Sequence, residues 1–410
     1  MPFEVKMTRI FNPDNDLALG NGDANYLPPQ SARQMAADLA FLPVWYAQAG
    51  DAVVIPGSDM LYYWSKTSHD SLEHVDVEWI IGGDKLPECP VSPWGWNKAL
   101  VKMLAQRGLQ ARWLPDTEQM DRWRNLSHRS TASELLDALM ERLGGTGHFV
   151  GKSYVCRNEK DIISCLSKHP QTIFKAPWSG SGKGLRRGQA DFSPPFSGWC
   201  LRILSQQGAV IGEPFYRRVK DFAMEFRSSG DGSAVEFCGY SYFMTDENGA
   251  YKGNLLMSDE AIESALSVYV NVSALHQLRE ELCRLMSMKF SSLYSGYIGV
   301  DMMVCDITEP DNTAERHYAI HPCVEINMRM NMGVVSHILY ERYVQPGKTG
   351  HFFIEYHSSP ERLQAVHRER QEGFPCIISD EGRLSQGYQP LTPIGRTTQF
   401  FAGMIIDGTI

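Results

Sequence analysis

Apolar and polar residues alternate over Val324-Glu325-Ile326-Asn327, with Arg329 one step further on the same side. A period of two predicts a strand with one apolar face and one face bearing a carboxylate, a carboxamide and a guanidinium. Burying those three unpaired costs several kcal/mol, so the face is either a half-exposed surface with an ion pair or a site. The same period predicts a second strand at 297–305. It also predicts a hairpin in which Phe222, Met224 and Phe226 alternate with Ala223, Glu225 and Arg227 before a Ser228-Ser229-Gly230-Asp231-Gly232 turn. A helical period runs through Leu135, Leu136, Leu139, Met140 and Leu143 behind a capping box at Thr131-Ala132-Ser133-Glu134. A second runs through Leu275, Leu278, Leu282 and Leu285 within one long predicted helix, 258–286. Ahead of these, strands at 5–11, 52–55 and 77–81 alternate with helices at 31–42 and 96–106, the spacing of an open α/β unit. The polar, Trp-containing stretch 115–125 reads as a connector and boundary.

At 410 residues the chain accommodates two or three domains, and 43% hydrophobic with 21% charged residues is the balance of an ordinary globular protein. A net charge of −9 offers no basic stripe, so no nucleic-acid partner is expected. Met1-Pro2-Phe3-Glu4-Val5-Lys6 lacks a basic segment followed by an apolar one, and no apolar run reaches spanning length. No signal peptide and no membrane contact are therefore expected, with the cytoplasm as location. Nine cysteines, scattered singly, suggest neither a disulfide framework nor a zinc site.

The chemistry lies in motifs. A predicted strand, Thr172-Ile173-Phe174-Lys175, leads into Ala176-Pro177-Trp178-Ser179-Gly180-Ser181-Gly182-Lys183-Gly184. Glycines at 180, 182 and 184 let backbone N–H groups approach a polyanion, and Lys175 and Lys183 flank them with positive charge. The spacing is not that of a Walker A loop, and an ordinary flexible turn would look similar. Asn12-Pro13-Asp14-Asn15-Asp16 and Gly20-Asn21-Gly22-Asp23 read as a turn-rich loop at the carboxyl end of the first strand, where open α/β sheets bind ligands.

The order of these features resembles the ATP-grasp superfamily. The residues carrying the resemblance are Lys175 to Gly184, Glu213-Pro214-Phe215-Tyr216-Arg217-Arg218-Val219-Lys220-Asp221, Gly299-Val300-Asp301 and Glu325-Ile326-Asn327-Met328-Arg329. It implies a mixed α/β and α+β fold: an N-terminal open α/β unit (1–120), a small subdomain with the glycine loop (121–200) and a large subdomain with the metal and nucleotide site (201–410). It further implies ATP and one or two Mg2+ ions, with Mn2+ as a substitute. Lys175, Gly180, Ser181, Gly182 and Gly184 would hold the phosphates, assisted by Lys183 from the loop. Glu213 would face the adenine amino group and Asp221 the ribose. Asp301, Glu325 and Asn327 would hold the metal, and Arg329 would stabilise the transferring phosphoryl group. Where the family carries an earlier phosphate-binding lysine, this chain offers Arg129.

The activity so implied is an ADP-forming ligase that joins a small-molecule acid to an amine through an acyl-phosphate. A phosphotransferase acting on a hydroxyl and a non-catalytic nucleotide-binding regulator are the alternatives. The loops at 12–23 and 245–254 are the candidate substrate contributors. Oligomeric state stays open, a homodimer included.

Overall fold

Three sheets organise the chain, and the computed structural model describes residues 6–67, 72–180, 184–188, 192–245, 251–308 and 316–409. The first sheet comprises β1 (Thr8–Ile10), β2 (Ala52–Ile55), β3 (Glu78–Ile81) and β4 (Val91–Pro93), all parallel, in the order β3-β2-β1-β4. Helices α1 (Asn15–Asn21), α2 (Gln30–Asp38) and α3 (Asp59–Thr67) join its strands, and α4 (Lys98–Gln106) follows β4. The loop expected at 12–23 thus contains a helix, which Gly22 ends at φ 75°. Two further helices, α5 (Thr117–Leu126) and α6 (Arg129–Leu143), follow. The stretch read as a connector is therefore helical, with its capping box at Asp116 and Gln119. α6 begins two residues before the expected box, because the His128 ring accepts from the Ser130 N–H.

The second sheet is antiparallel: β5 (Tyr154–Cys156), β6 (Thr172–Lys175), β7 (Leu185–Gly188) and β8 (Val210–Pro214), ordered β5-β8-β6-β7. Its helices α7 (Glu159–Lys168) and α8 (Pro194–Gln207) bury Ile162, Leu166, Trp199 and Ile203 against Phe174.

The third sheet is the largest. It begins with β9 (Arg217–Ser228), β10 (Glu236–Thr245) and β11 (Tyr251–Leu256), and the expected hairpin is β9 with β10. Two helices follow, α9 (Asp259–Ser267) and α10 (Val272–Phe290), where the sequence suggests one; Asn271 caps the second. Next come β12 (Gly296–Asp306), β13 (Tyr318–Asn327), α11 (Met332–Tyr343), β14 (Lys348–Tyr356), α12 (Pro360–Gly373), β15 (Ile377–Ile378), β16 (Leu384–Pro390) and β17 (Phe400–Thr409). The nine strands run β13-β12-β9-β10-β11-β14-β17-β16-β15.

One face of this sheet packs Phe222, Met224, Phe226 and Val300 against Leu135 and Leu139 of α6 and Leu278 and Leu282 of α10. α11 lies over the other face. Its Val334, Val335 and Leu339 share a core with Trp45 and Trp64 of the N-terminal unit and with Phe352 and Met404. The N-terminal and large sheets are therefore held together by a shared core.

Candidate functional site

Register alone brings the polar face of β13 together with β12. Asp301 stands opposite Glu325 and Gly299 opposite Asn327, while on the other flank Ala223 and Glu225 of β9 face Asp301 and Gly299. Side chains directly opposite on one face lie within contact range, so two carboxylates are set side by side. Burial, and then the Glu325 charge, push the Asp301 carboxyl up to about 7. The Asn327 amide donates Nδ2 to Asp301 Oδ2 at 3.1 Å, and its Oδ1 accepts from Arg329 Nη2 at 2.9 Å. Beyond this pair β13 bulges: Met303 faces His321, so residues 322–324 stand against Met302 alone. Pro322 has no N–H to give a ladder and fits such a position.

Three cations converge on this face from different elements. Arg129, at the start of α6 and only 7% exposed, donates Nη2 to Glu325 Oε1 at 2.6 Å. Its Nη1 donates to the Ala176 carbonyl at 2.5 Å and to Ser179 Oγ at 2.8 Å, and its Nε has no partner among the described residues. Lys175, ending β6, donates to Glu213 Oε2 at 2.6 Å and, across the cleft, to the Val324 carbonyl at 3.3 Å. Arg329 forms a fork on Asp16 of α1, Nε to both carboxylate oxygens at 3.0 Å and Nη2 to Oδ2 at 2.7 Å. Burial opposes the Arg329 charge, but Asp16, then Glu325 and Asp301, outweigh it and keep the group protonated.

The sequence-predicted residues thus fall into groups. Arg129, Lys175, Glu213, Asp301, Glu325, Asn327 and Arg329 lie in one cleft between the small and large sheets. Asp221 is on the same sheet face, two residues before Ala223, but is held by Arg218 Nη1 at 3.0 Å and Thr245 Oγ1 at 2.8 Å. Gly184 closes the base of the glycine-rich segment, its carbonyl accepting from Ala176 N at 2.9 Å; a Cβ there would come within 2.2 Å of Ser179 Oγ. Gly180 is under no such demand, since a Cβ would make only ordinary contact with Asp16, at 3.7 Å. Ser181, Gly182 and Lys183 lie outside the described residues, as do 246–250 of the candidate substrate loop. Tyr251 to Asn254 of that loop belong to β11.

Three residues of the site have no individual role in the sequence reading. Asp16 is one. Glu225, 2% exposed, accepts from Asn331 Nδ2 at 2.8 Å, and Asn331 in turn caps α11 by accepting from Val334 N at 2.9 Å. Burial pushes the Glu225 carboxyl up to about 8. Two glycines make room for it: a Cβ on Gly299 would meet Glu225 Oε2 at 2.7 Å, and one on Gly333 would meet Oε1 at 2.0 Å. The available signal was a carboxylate alternating with the apolar Phe222, Met224 and Phe226 of β9. His321 is fully buried beside Tyr216 with neither ring nitrogen bonded among the described residues, and burial and Lys175 together push its pKa down to about 3.

The donor set fits a hard cation in part. No group of three or more His, Cys, Asp or Glu is assembled among the described residues. Two carboxylates and a carboxamide oxygen are a half-site of the kind Mg2+ completes with phosphate oxygens and water.

A small antiparallel sheet and a large one, facing across a cleft behind an open parallel unit, make up the ATP-grasp fold, and this chain has it. Among solved structures that share it, biotin carboxylase from Campylobacter jejuni, as its β-γ-ATP complex, aligns over 99% of this chain and 88% of its own, at TM-score 0.50 and 12% identity. N5-carboxyaminoimidazole synthetase from Staphylococcus aureus aligns over 99% and 94%, at TM-score 0.49 and 12% identity. No family model matches the sequence. No curated protein matches it either.

Proposed function

We propose that this chain is an ATP-dependent ligase that joins a carboxylate to an amine or a similar nucleophile through an acyl-phosphate, releasing ADP and phosphate. The observation that carries the proposal is the convergence of Arg129, Lys175 and Arg329 on the Asp301–Glu325–Asn327 face, in a cleft between two sheets of an ATP-grasp fold. A carboxylate is a poor electrophile, and its activation needs aligned charge more than a protein nucleophile. Asp301, Glu325 and the Asn327 amide oxygen would hold Mg2+. When bound, that ion neutralises the phosphate oxygens and lines up the transferring group. Lys175 and Arg129 would bind the phosphates, each exchanging a carboxylate partner (Glu213 or Glu325) for a phosphate oxygen. Arg329, at the end of the face toward the N-terminal unit, would neutralise charge on the transferring phosphoryl group. The carboxyl edge of the β1–β4 sheet closes this end of the cleft and is the expected seat of the acid or the nucleophile.

The test is a screen of acid and amine pairs with MgATP, following ADP and free phosphate together. The expected result is equimolar ADP and phosphate that require both the acid and the amine. ADP with a phosphorylated product and no free phosphate would make the chain a kinase, and tight ATP binding without turnover in any mixture would make it a nucleotide-binding regulator.

A further inference from the structure

Asp16 comes from a turn-rich motif that the nucleotide site leaves unexplained. It sits on α1, a short helix fixed from several sides to the carboxyl edge of the N-terminal sheet. Asn12 donates to the Gly95 carbonyl at 2.8 Å and accepts from its N–H at 3.3 Å. Asn15 lies so close on Gly95 that a Cβ there would come within 2.4 Å of its carboxamide. Arg124 donates Nε to the Leu19 carbonyl at 2.7 Å, while its guanidinium stacks 3.8 Å from the Trp178 ring. α1 therefore cannot shift without disturbing both the N-terminal sheet and the base of the glycine-rich segment. From this fixed mount the carboxylate reaches the other side of the cleft and takes the Arg329 fork through three of its donor contacts. Bidentate pairs of this kind fix direction as well as charge.

What Asp16 prevents is as informative as what it holds. The next carboxylates that act on Arg329 are Glu325 and Asp301, and Nη2 already touches Asn327 Oδ1. A guanidinium released from Asp16 would turn toward those oxygens, which are the ones a divalent cation needs. We infer that Asp16 is a positioning residue of the ATP site: from the N-terminal unit it holds Arg329 at the phosphoryl end of the cleft, against Asn327 Oδ1 but off the Asp301 and Glu325 carboxylates. This rests on the nucleotide and metal reading proposed above. It makes the N-terminal unit a component of the ATP site and not only a platform for the second substrate.

The test is ADP binding by calorimetry as a function of MgCl2 concentration, in the wild type, D16N, D16A, D16E, R329A and the D16A/R329A double variant, with melting temperatures recorded in parallel. Removing the group that orients a metal site raises the required metal concentration by about 10–100-fold. A shift of that size is expected for D16A and D16N, with a partial return toward wild type in D16E. In the R329A background, D16A should add nothing, because no guanidinium is left to wander. D16N preserves shape and serves if D16A does not fold. An unchanged Mg2+ requirement in folded D16N, or an equal shift from D16A with and without Arg329, overturns the inference. A wild type that binds no ADP at any MgCl2 concentration removes the nucleotide reading itself, and the inference with it. The wild-type titration tells the second failure from the first.

Discussion

Lowering the pH should loosen Mg2+ from the nucleotide-loaded protein, and Asp301 sets the size of the effect. Its carboxyl faces Glu325 across the β12–β13 ladder and lies in the cleft floor. Burial first, and the Glu325 charge second, push it up to about 7, against the pull of Arg329 and the Asn327 amide. With such a value the group is roughly one-tenth ionised at pH 6, about half at pH 7 and about nine-tenths at pH 8. Only the ionised form ligates a hard cation, so Mg2+ affinity should rise about tenfold from pH 6 to pH 8, about 1.4 kcal/mol. The free protein should respond in the opposite sense. A carboxyl whose folded pKa is raised contributes stability below its ordinary value, near 3.8, and that stability is lost as pH rises through about 7. The assay is titration of the ADP complex with MgCl2 at pH 6, 7 and 8, in the wild type and in Asp301→Asn. ADP itself titrates in this range, so the relevant slope is the wild-type slope minus that of the variant. Asp301→Asn should bind Mg2+ about 10–100-fold more weakly and lose the excess slope. Equal slopes in the two proteins would refute the assignment of Asp301 as a titrating ligand.

Two other perturbations follow from the same geometry. Glu225 is buried with its carboxyl pushed up to about 8 from 4.5, so the stability it contributes is present below about pH 4.5 and lost by about pH 8. Glu225→Gln should therefore melt higher than the wild type at pH 8.5 and differ little at pH 5 by scanning calorimetry; a variant that melts lower at both pH values contradicts this. Lys175 and Glu213 are each 8% exposed in a 2.6 Å pair, and removing Lys175 alone strands a buried carboxylate at a cost of about 3–5 kcal/mol. Lys175→Met should unfold at clearly lower denaturant than Lys175→Met/Glu213→Met, while neither variant binds ADP; equal midpoints would show the pair to be energetically idle.

The parts of the fold legible in the sequence are those with a local period. The β9–β10 hairpin and the polar face of β13 show in alternation, and the register of β12 with β13 then sets Asp301 opposite Glu325. α11 is invisible for the opposite reason: Val334, Val335, Leu339, Tyr340 and Tyr343 are buried around several sides, so no apolar stripe forms. α6 starts early because His128 acts as an acceptor cap, which requires a neutral ring. Burial and then Arg157, Arg124 and Arg129 keep it neutral, pushing its pKa down to about 4. No local pattern encodes that. α1 is hidden by turn-forming residues whose side chains are spent on other elements, Asn12 on Gly95 and Asp16 on Arg329. The Asp16–Arg329 pair joins positions 313 residues apart and has no sequence signature at all.

The central claim is that the cleft forms an acyl-phosphate, and positional isotope exchange tests it most directly. ATP labelled with oxygen-18 at the β,γ-bridge is incubated with MgCl2, the protein and the acid substrate alone, without the nucleophile. Reversible transfer of the γ-phosphoryl group to the acid frees the β-phosphate of ADP to rotate, so label should scramble from the bridge into the non-bridging β-positions. Scrambling should require the acid and disappear in Arg329→Ala. A label that stays in the bridge with every acid able to support phosphate release would contradict the account.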